Sequence, residues 1–171
     1  MPMSKKQLRQ WRERIDAIIQ NQDWDAMFQL ADSGDFALCL TDPLWRLADG
    51  SPDRLNHPQR VLFLCILLED CTQCDSLYSF FDEGFGSYGQ ETAEALDEIG
   101  ASKSAAILRK VLSKLPEGGF PTEDRVACRA LDDGAFGKVL DEANHMLCNY
   151  PDGPMCDLYF AYAKAHREDF P

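Results

Sequence analysis

Apolar residues recur along this chain at helical rather than strand spacing. Leu8, Trp11, Ile15, Ile18 and Ile19 follow one another at i, i+3, i+4 intervals, which predicts an amphipathic first helix with Ser4 placed to cap it. Asp23 can cap a second helix that carries Trp24, Met27, Phe28 and Ala31 on one side. Ser33-Gly34 then interrupts, and Asp42-Pro43 predicts the start of a short helical piece ending near Asp49-Gly50, because proline suits a first turn. Gly50 to Pro58 reads as a loop. Pro58 next opens a helix through Val61, Leu64, Cys65 and Leu68, apolar on most sides and so the expected central element.

Beyond it, Asp75 to Phe81 continues an aromatic helical pattern until Gly84-Phe85-Gly86 breaks it. Thr92 to Ile99 reads as a helix closed by Gly100 as a left-handed cap. Ser102 is the expected cap of the next helix, with Ala106, Ile107, Val111 and Leu115 before Pro116. Gly118-Gly119-Phe120-Pro121 predicts a loop, Thr122 to Leu131 a helix, and Phe136 to Leu147 another after Gly134. Asp152-Gly153-Pro154 is a turn before a last helix, Met155 to His166. With no strand pair and no repeat in the pattern, the expected fold is all-α. It would be an irregular single-domain bundle of about seven to nine helices over residues 1–171.

Charge changes this picture from a bundle to a polarised bundle. The 171 residues carry a formal net charge of −12, unevenly placed. Residues 1–14 hold five cations (Lys5, Lys6, Arg9, Arg12, Arg14) against Glu13, and residues 15–60 hold eight acids against three cations. From Val61 to Ile99 stand nine acids, Glu69, Asp70, Asp75, Asp82, Glu83, Glu91, Glu94, Asp97 and Glu98, with no Lys or Arg. A surface normally mixes signs, because opposite charges at helical spacing support each other and like charges repel. A single-sign field suits a basic partner. It disfavours direct nucleic-acid binding, which needs Lys and Arg at the phosphates, and disfavours an anionic membrane likewise. The basic head leads into Trp11 and further charges, not an apolar stretch, and the longest apolar run, Val61–Leu68, is too short to span a bilayer. Seven cysteines, an odd count, then read as reduced thiols of a cytoplasmic protein.

Candidate chemistry is sparse. Cys71 and Cys74 have the Cys-x-x-Cys spacing of a zinc or thiol-redox pair, with His145 and Cys148 as the only local further ligands. The plainer reading packs Cys65, Cys71 and Cys74 as small apolar side chains. His57, His145 and His166 are scattered. Gly84-Phe-Gly-Ser-Tyr-Gly89 has no following Lys and is flanked by acids, so it would repel a phosphate. No catalytic motif is present, and neither a catalytic residue, a cofactor nor a metal site is expected. On the helix through Thr92–Ile99, extended one turn back, Glu91, Glu94 and Glu98 fall on one face with Asp97 beside them. Their spacing along the axis, ~4.5–6 Å, is of the order of the ~3.4 Å between DNA phosphates on one strand.

Several segments together resemble a known family. These are Leu77-Tyr78-Ser-Phe80-Phe81, then Gly86, then Glu94-Ala95-Leu96-Asp-Glu-Ile99-Gly100-Ala101, the helix to Leu115-Pro116 with Gly118-Gly119, and the tail Tyr162-Ala-Lys-Ala-His166-Arg-Glu-Asp-Phe170. The likeness, roughly Val61 to Phe170, is to an acidic all-α bacterial family of unknown function that includes the small bacterial DNA-mimic proteins. Where that family has Asn-Gly-Gly this chain has Cys74-Asp75-Ser76, which puts any role of those glycines in doubt here. The resemblance implies a homodimer whose carboxylates occupy the DNA-binding face of a helix-turn-helix transcription factor, and no enzyme. The carboxylates expected to do so are the nine between Glu69 and Glu98, with Asp16, Asp23 and Asp25 as a second row. The alternatives are a thiol- or zinc-dependent enzyme or sensor built on Cys71 and Cys74, and an acidic adaptor unrelated to DNA binding.

Overall fold

Several helices of this protein start where a side chain satisfies their first N–H groups, although not always the side chain nearest in sequence. In a computed structural model, residues 3–115, 120 and 134–171 are described. Among them are nine α-helices and no strand, so the fold is all-α. The chain divides into two compact units: Met1–Phe63 with Cys156–Pro171, and Leu64–Met155. The helix expected from Thr122 to Leu131 and the loop at Gly118-Gly119 lie outside the described residues.

The first unit holds α1 (Lys5–Asn21), α2 (Trp24–Phe28), α3 (Ser33–Ala48), the start of α4 (His57–Cys74) and most of α9 (Met155–Ala165). Ser4 caps α1 reciprocally with Gln7, and Asp23 caps α2 through the N–H of Ala26 at 2.9 Å. Trp11 donates its indole N–H to Asp35 Oδ1 at 2.8 Å, tying α1 to α3. Phe36 sits edge-on to Phe28 (5.4 Å) and Phe160 (5.2 Å), while Trp24 and Phe28 both meet Phe170. The closing turn is pinned by Asn56 and Gln59, each donating to Asp169 O at 2.7 Å. Phe170 thus anchors the C-terminus in an aromatic cluster.

One element corrects the sequence reading. Ser33-Gly34 begins a helix rather than interrupting one, and α3 runs through Pro43 without stopping. Proline in a helix interior forfeits one hydrogen bond and crowds the preceding turn, at a cost of ~3 kcal/mol. Against that, α3 buries Phe36, Cys39, Leu40, Pro43, Leu44 and Ala48 as one stripe at i, i+3, i+4 spacing. A fully buried large apolar side chain is worth ~1.5–3 kcal/mol, so the stripe outweighs the proline.

The second unit holds the rest of α4, α5 (Leu77–Asp82), a 3-10 turn Phe85–Tyr88, α6 (Gly89–Glu98), α7 (Ser102–Leu112) and α8 (Ala135–Cys148). Val61–Leu68 of α4 is buried at every position, as its all-round apolarity predicts. Helix α6 packs on α7, and both α5 and α7 pack on α8. The Ile99-Gly100-Ala101 motif closes α6 by a Schellman arrangement. Ala101 N–H donates to Leu96 O at 2.7 Å and Gly100 N–H to Asp97 O at 3.0 Å, with Gly100 at φ +92°. Ile99 and Ala101 are buried on either side of it.

Two caps come from afar. Ser76 makes no side-chain cap bond to α5; instead Asn144 of α8 accepts from the Leu77 N–H at 2.8 Å. Ser102 does not cap α7 either. Asp152, in the turn after α8, accepts from the N–H groups of Lys103 (2.9 Å) and Ser104 (2.8 Å) and from the Ser104 hydroxyl (2.7 Å). The buried face of α7 is Ser104, Ala105, Leu108 and Val111, one step round from the expected Ala106–Ile107 face.

The aromatic–Gly spacing also has a steric basis. A Cβ at Gly86 would lie 2.8 Å from the ring of Phe81, which is fully buried against Phe80, Phe120 and Phe136. That ring has no free direction to yield. Gly86→Ala is therefore expected to destabilise the protein by ~1–3 kcal/mol, read as a lower denaturant midpoint at unchanged slope.

Candidate protein-interaction surface

Nine acids in sequence become three local groups in space. Glu69 and Asp70 lie near the end of α4, Asp75 just past it, and Asp82 and Glu83 at the end of α5. Glu91, Glu94, Asp97 and Glu98 lie on α6. On α6 the buried side is Gly89, Thr92, Ala93, Ala95 and Leu96. Glu91, Glu94 and Glu98 share roughly 60° of arc on the opposite side, over an axial distance of ~10.5 Å. The predicted carboxylate face therefore exists. Glu94 is exposed and accepts from Gln90 Nε2 at 2.9 Å; Glu98 is exposed and Glu91 half-buried.

Buried thiols report how the groups converge. The Cys71 thiol is pushed up to about 12, first by burial and then by the carboxylates of Glu83, Asp70 and Asp75. The ends of α4 and α5 thus bring three carboxylates near one sulfur. The Cys65 thiol is raised in the same way, by burial and then by Glu98 and Glu69, which links α6 to α4. Asp70 itself is raised by the partial burial of its carboxyl. These acids sit where they do little for the helices that carry them. Asp82, Asp97 and Glu98 occupy last turns, where the helix dipole already presents negative charge and no basic residue balances it within α5 or α6.

Two features depart from a uniform field. Arg109 of α7 reaches across to Asp97, Nη2 to Oδ2 at 2.7 Å, and also approaches Ala93 O. The cation absent from Val61–Ile99 is supplied by a neighbouring helix, so Asp97 is locally balanced. Asp75 also has a local task, accepting from the Ser79 hydroxyl within α5's first turn.

Asp16, Asp23 and Asp25 belong to the other unit, and two of the three have local tasks. Asp23 is the α2 cap already described. Asp25 pairs with Arg167 Nη2 at 2.6 Å, and that guanidinium stacks over the Phe28 ring at 4.5 Å. Asp16 is exposed on α1.

The Cys71–Cys74 spacing does not assemble further ligands. Cys71 is buried and Cys74 exposed, on successive turns of α4, and Cys148 Sγ donates to Thr72 O at 3.2 Å. Among the described residues no three His, Cys, Asp or Glu side chains are grouped to hold a metal ion. A thiol raised as far as that of Cys71 holds its proton at neutral pH, whereas thiol chemistry and metal ligation need the thiolate. Among the described residues no helix is long and apolar enough to cross a membrane.

What sequence reasoning missed is a small pocket behind the α4–α6 carboxylates, walled by Leu68, Leu96, Leu147 and Met155. Its walls come from four separate segments, and no local spacing marks them.

Fold and surface together define an acidic all-α protein with a carboxylate face mounted on short helices. A family model described as DMP19-like protein matches residues 53–166, two thirds of the chain, and the chain belongs to that family. No curated protein and no solved structure matches it.

Proposed function

We propose that this protein is a DNA mimic, a binding protein and not an enzyme, whose carboxylate face occupies the DNA-binding surface of a helix-turn-helix transcription factor and keeps it from its operator. The observation that carries this reading is the α6 face of Glu91, Glu94 and Glu98, with Glu69 of α4 close enough to act on the same buried thiol as Glu98. The charges lie at roughly the spacing of backbone phosphates, and Glu98 stands in the last turn of α6, where the helix dipole does not favour an acid. Membership of the DMP19-like family supports the reading. As a homodimer the protein would present this face twice; Leu38 and Trp45, exposed one above the other on α3, are apolar surface consistent with a second copy.

The test is capture of a partner from native lysate, repeated with competing duplex DNA and at rising salt. Duplex DNA is expected to displace the captured factor. Affinity is expected to fall about tenfold or more as ionic strength rises from ~0.01 M to ~0.1 M, where the Debye length shrinks from ~30 Å to ~10 Å. A partner that binds equally at both ionic strengths, or that duplex DNA does not displace, overturns the proposal.

A further inference from the structure

The basic head of the chain takes no part in the surface described so far. Residues 3–10 are all exposed, and Lys5, Arg9 and Arg12 follow one another at i, i+4, i+7 on α1. They share roughly 60° of arc, to one side of the buried Ile15 and Ile18, over an axial length of ~10.5 Å. Among the described residues one of the three is ion-paired, Arg9 with the exposed Glu13 at 2.7 Å. Lys5 also stands in the first turn of α1, which holds no acid. A helix dipole already presents positive charge there, so the lysine does nothing for the helix that carries it. Glu98 is its counterpart, an acid in the last turn of α6, where no basic residue of that helix balances it.

The two faces complement each other in charge and in spacing. Glu91, Glu94 and Glu98 occupy a similar arc and the same axial length on α6, in steps of ~4.5 Å and then ~6 Å. From Lys5 the steps are ~6 Å and then ~4.5 Å. Reversing one helix makes the two series coincide: Arg12 comes opposite Glu91, Arg9 opposite Glu94 and Lys5 opposite Glu98. In that direction each misplaced charge meets a helix end that favours it, Lys5 at the negative end of α6 and Glu98 at the positive end of α1. Asp16, the acid on the same side of α1, falls past the first residue of α6, at the positive end of its dipole. We propose that the basic head of α1 docks antiparallel on the α6 carboxylate face of a second copy of this chain, and covers that face until a more strongly cationic partner displaces it. Exposed ion pairs are individually weak, which suits a cover that has to yield. The docking stands on the charges of this chain alone; its role as a cover rests on the proposed binding to a basic partner.

Sedimentation equilibrium of the full chain at ~0.1 M salt tests it, since repulsion between whole chains is then screened beyond ~10 Å while contact pairs persist. Two double variants are compared, Lys5→Glu with Arg9→Glu in the head and Glu94→Lys with Glu98→Lys in the face. Each alone is expected to weaken self-association about tenfold, with unchanged circular dichroism. Their equimolar mixture is expected to return to within about threefold of the wild type, because the reversed head meets the reversed face. Repulsion between whole chains predicts otherwise. One variant makes the chain more negative and the other less, so their association would shift in opposite directions. Lys5→Gln with Arg9→Gln, which keeps good helix formers, should lose association too, even if the reversed head misfolds. An average mass that does not rise with concentration, a variant that associates as the wild type does, or a mixture no stronger than its components overturns the docking and leaves the basic-partner reading standing. A lysine- and arginine-rich helical peptide is expected to dissociate the self-associated wild type; a peptide that binds without dissociating it overturns the cover. If the peptide fails to bind while the mixture recovers, the basic-partner reading is overturned and the docking stands.

Discussion

The double variant Glu94→Lys, Glu98→Lys is expected to bind the proposed basic partner about 100-fold more weakly than the wild type at low ionic strength, with its helix content unchanged. The change reverses two of the three charges on the exposed side of α6 and turns attraction into repulsion at the centre of the proposed interface. A 100-fold loss corresponds to ~2.7 kcal/mol, modest for two reversed charges facing several cations. The fold should tolerate it. In the wild type the Glu94–Glu98 pair at i, i+4 already repels by ~0.2–0.5 kcal/mol, and two lysines restore the same repulsion with the opposite sign. A cation at position 98 also suits the helix C-terminus better than the native acid.

Net charge alone is separated by a second variant, Glu13→Lys with Glu168→Lys. It changes the total charge equally but acts on exposed acids of the other unit. That control is expected to lose less than about fivefold, an effect of the protein's overall field. Equal losses in the two variants would show that affinity follows total charge and not the α6 face. Titration calorimetry against the purified partner, with circular dichroism for each variant, reads both outcomes.

How much of this was visible in the sequence depends on how far apart the determining atoms lie. The caps at Ser4 and Asp23 and the Schellman close at Gly100 are written within a few residues, and the structure has them where the spacing predicts. So is the α6 carboxylate face, since a helix fixes which residues share a side. Pro43 was misleading because propensity is local, while the buried stripe of α3 that overrides it depends on partners elsewhere in the chain. The cap of α7 was misassigned for the same reason. Ser102 is a good capping residue by type, but Asp152 stands about fifty residues away and delivers a full negative charge to the same N–H groups. The Asp97–Arg109 pair shows the limit for the site. An acidic run free of cations in sequence does not stay so once another helix packs beside it. The apolar pocket was invisible because its walls are drawn from α4, α6, α8 and the start of α9.

Asp152 is accordingly a polar residue whose loss should damage the fold. Asp152→Ala is expected to destabilise the protein by ~2–4 kcal/mol. Loss of a helix cap is worth ~0.5–2 kcal/mol, and here the buried Ser104 hydroxyl is also left without its acceptor, at ~1–3 kcal/mol more. For a chain of this size each kcal/mol lowers Tm by ~2–4 °C, so scanning calorimetry should show a drop of roughly 5–15 °C. Asp152→Asn keeps the acceptor oxygen and should recover about half of the loss. The carboxyl of Asp152 is held below its ordinary value: although partial burial opposes this, the N–H groups of Ser104 and Lys103, the Ser104 hydroxyl and the Lys103 charge outweigh it. Its pKa is therefore lower in the folded than in the unfolded chain. The stabilisation that follows is fully present above the unfolded value of 3.8 and is lost as pH falls through the folded value. The wild type should thus lose more stability than Asp152→Ala between about pH 5 and pH 3. Parallel acid-unfolding curves for the two proteins would refute the assignment of Asp152 as the charged cap of α7.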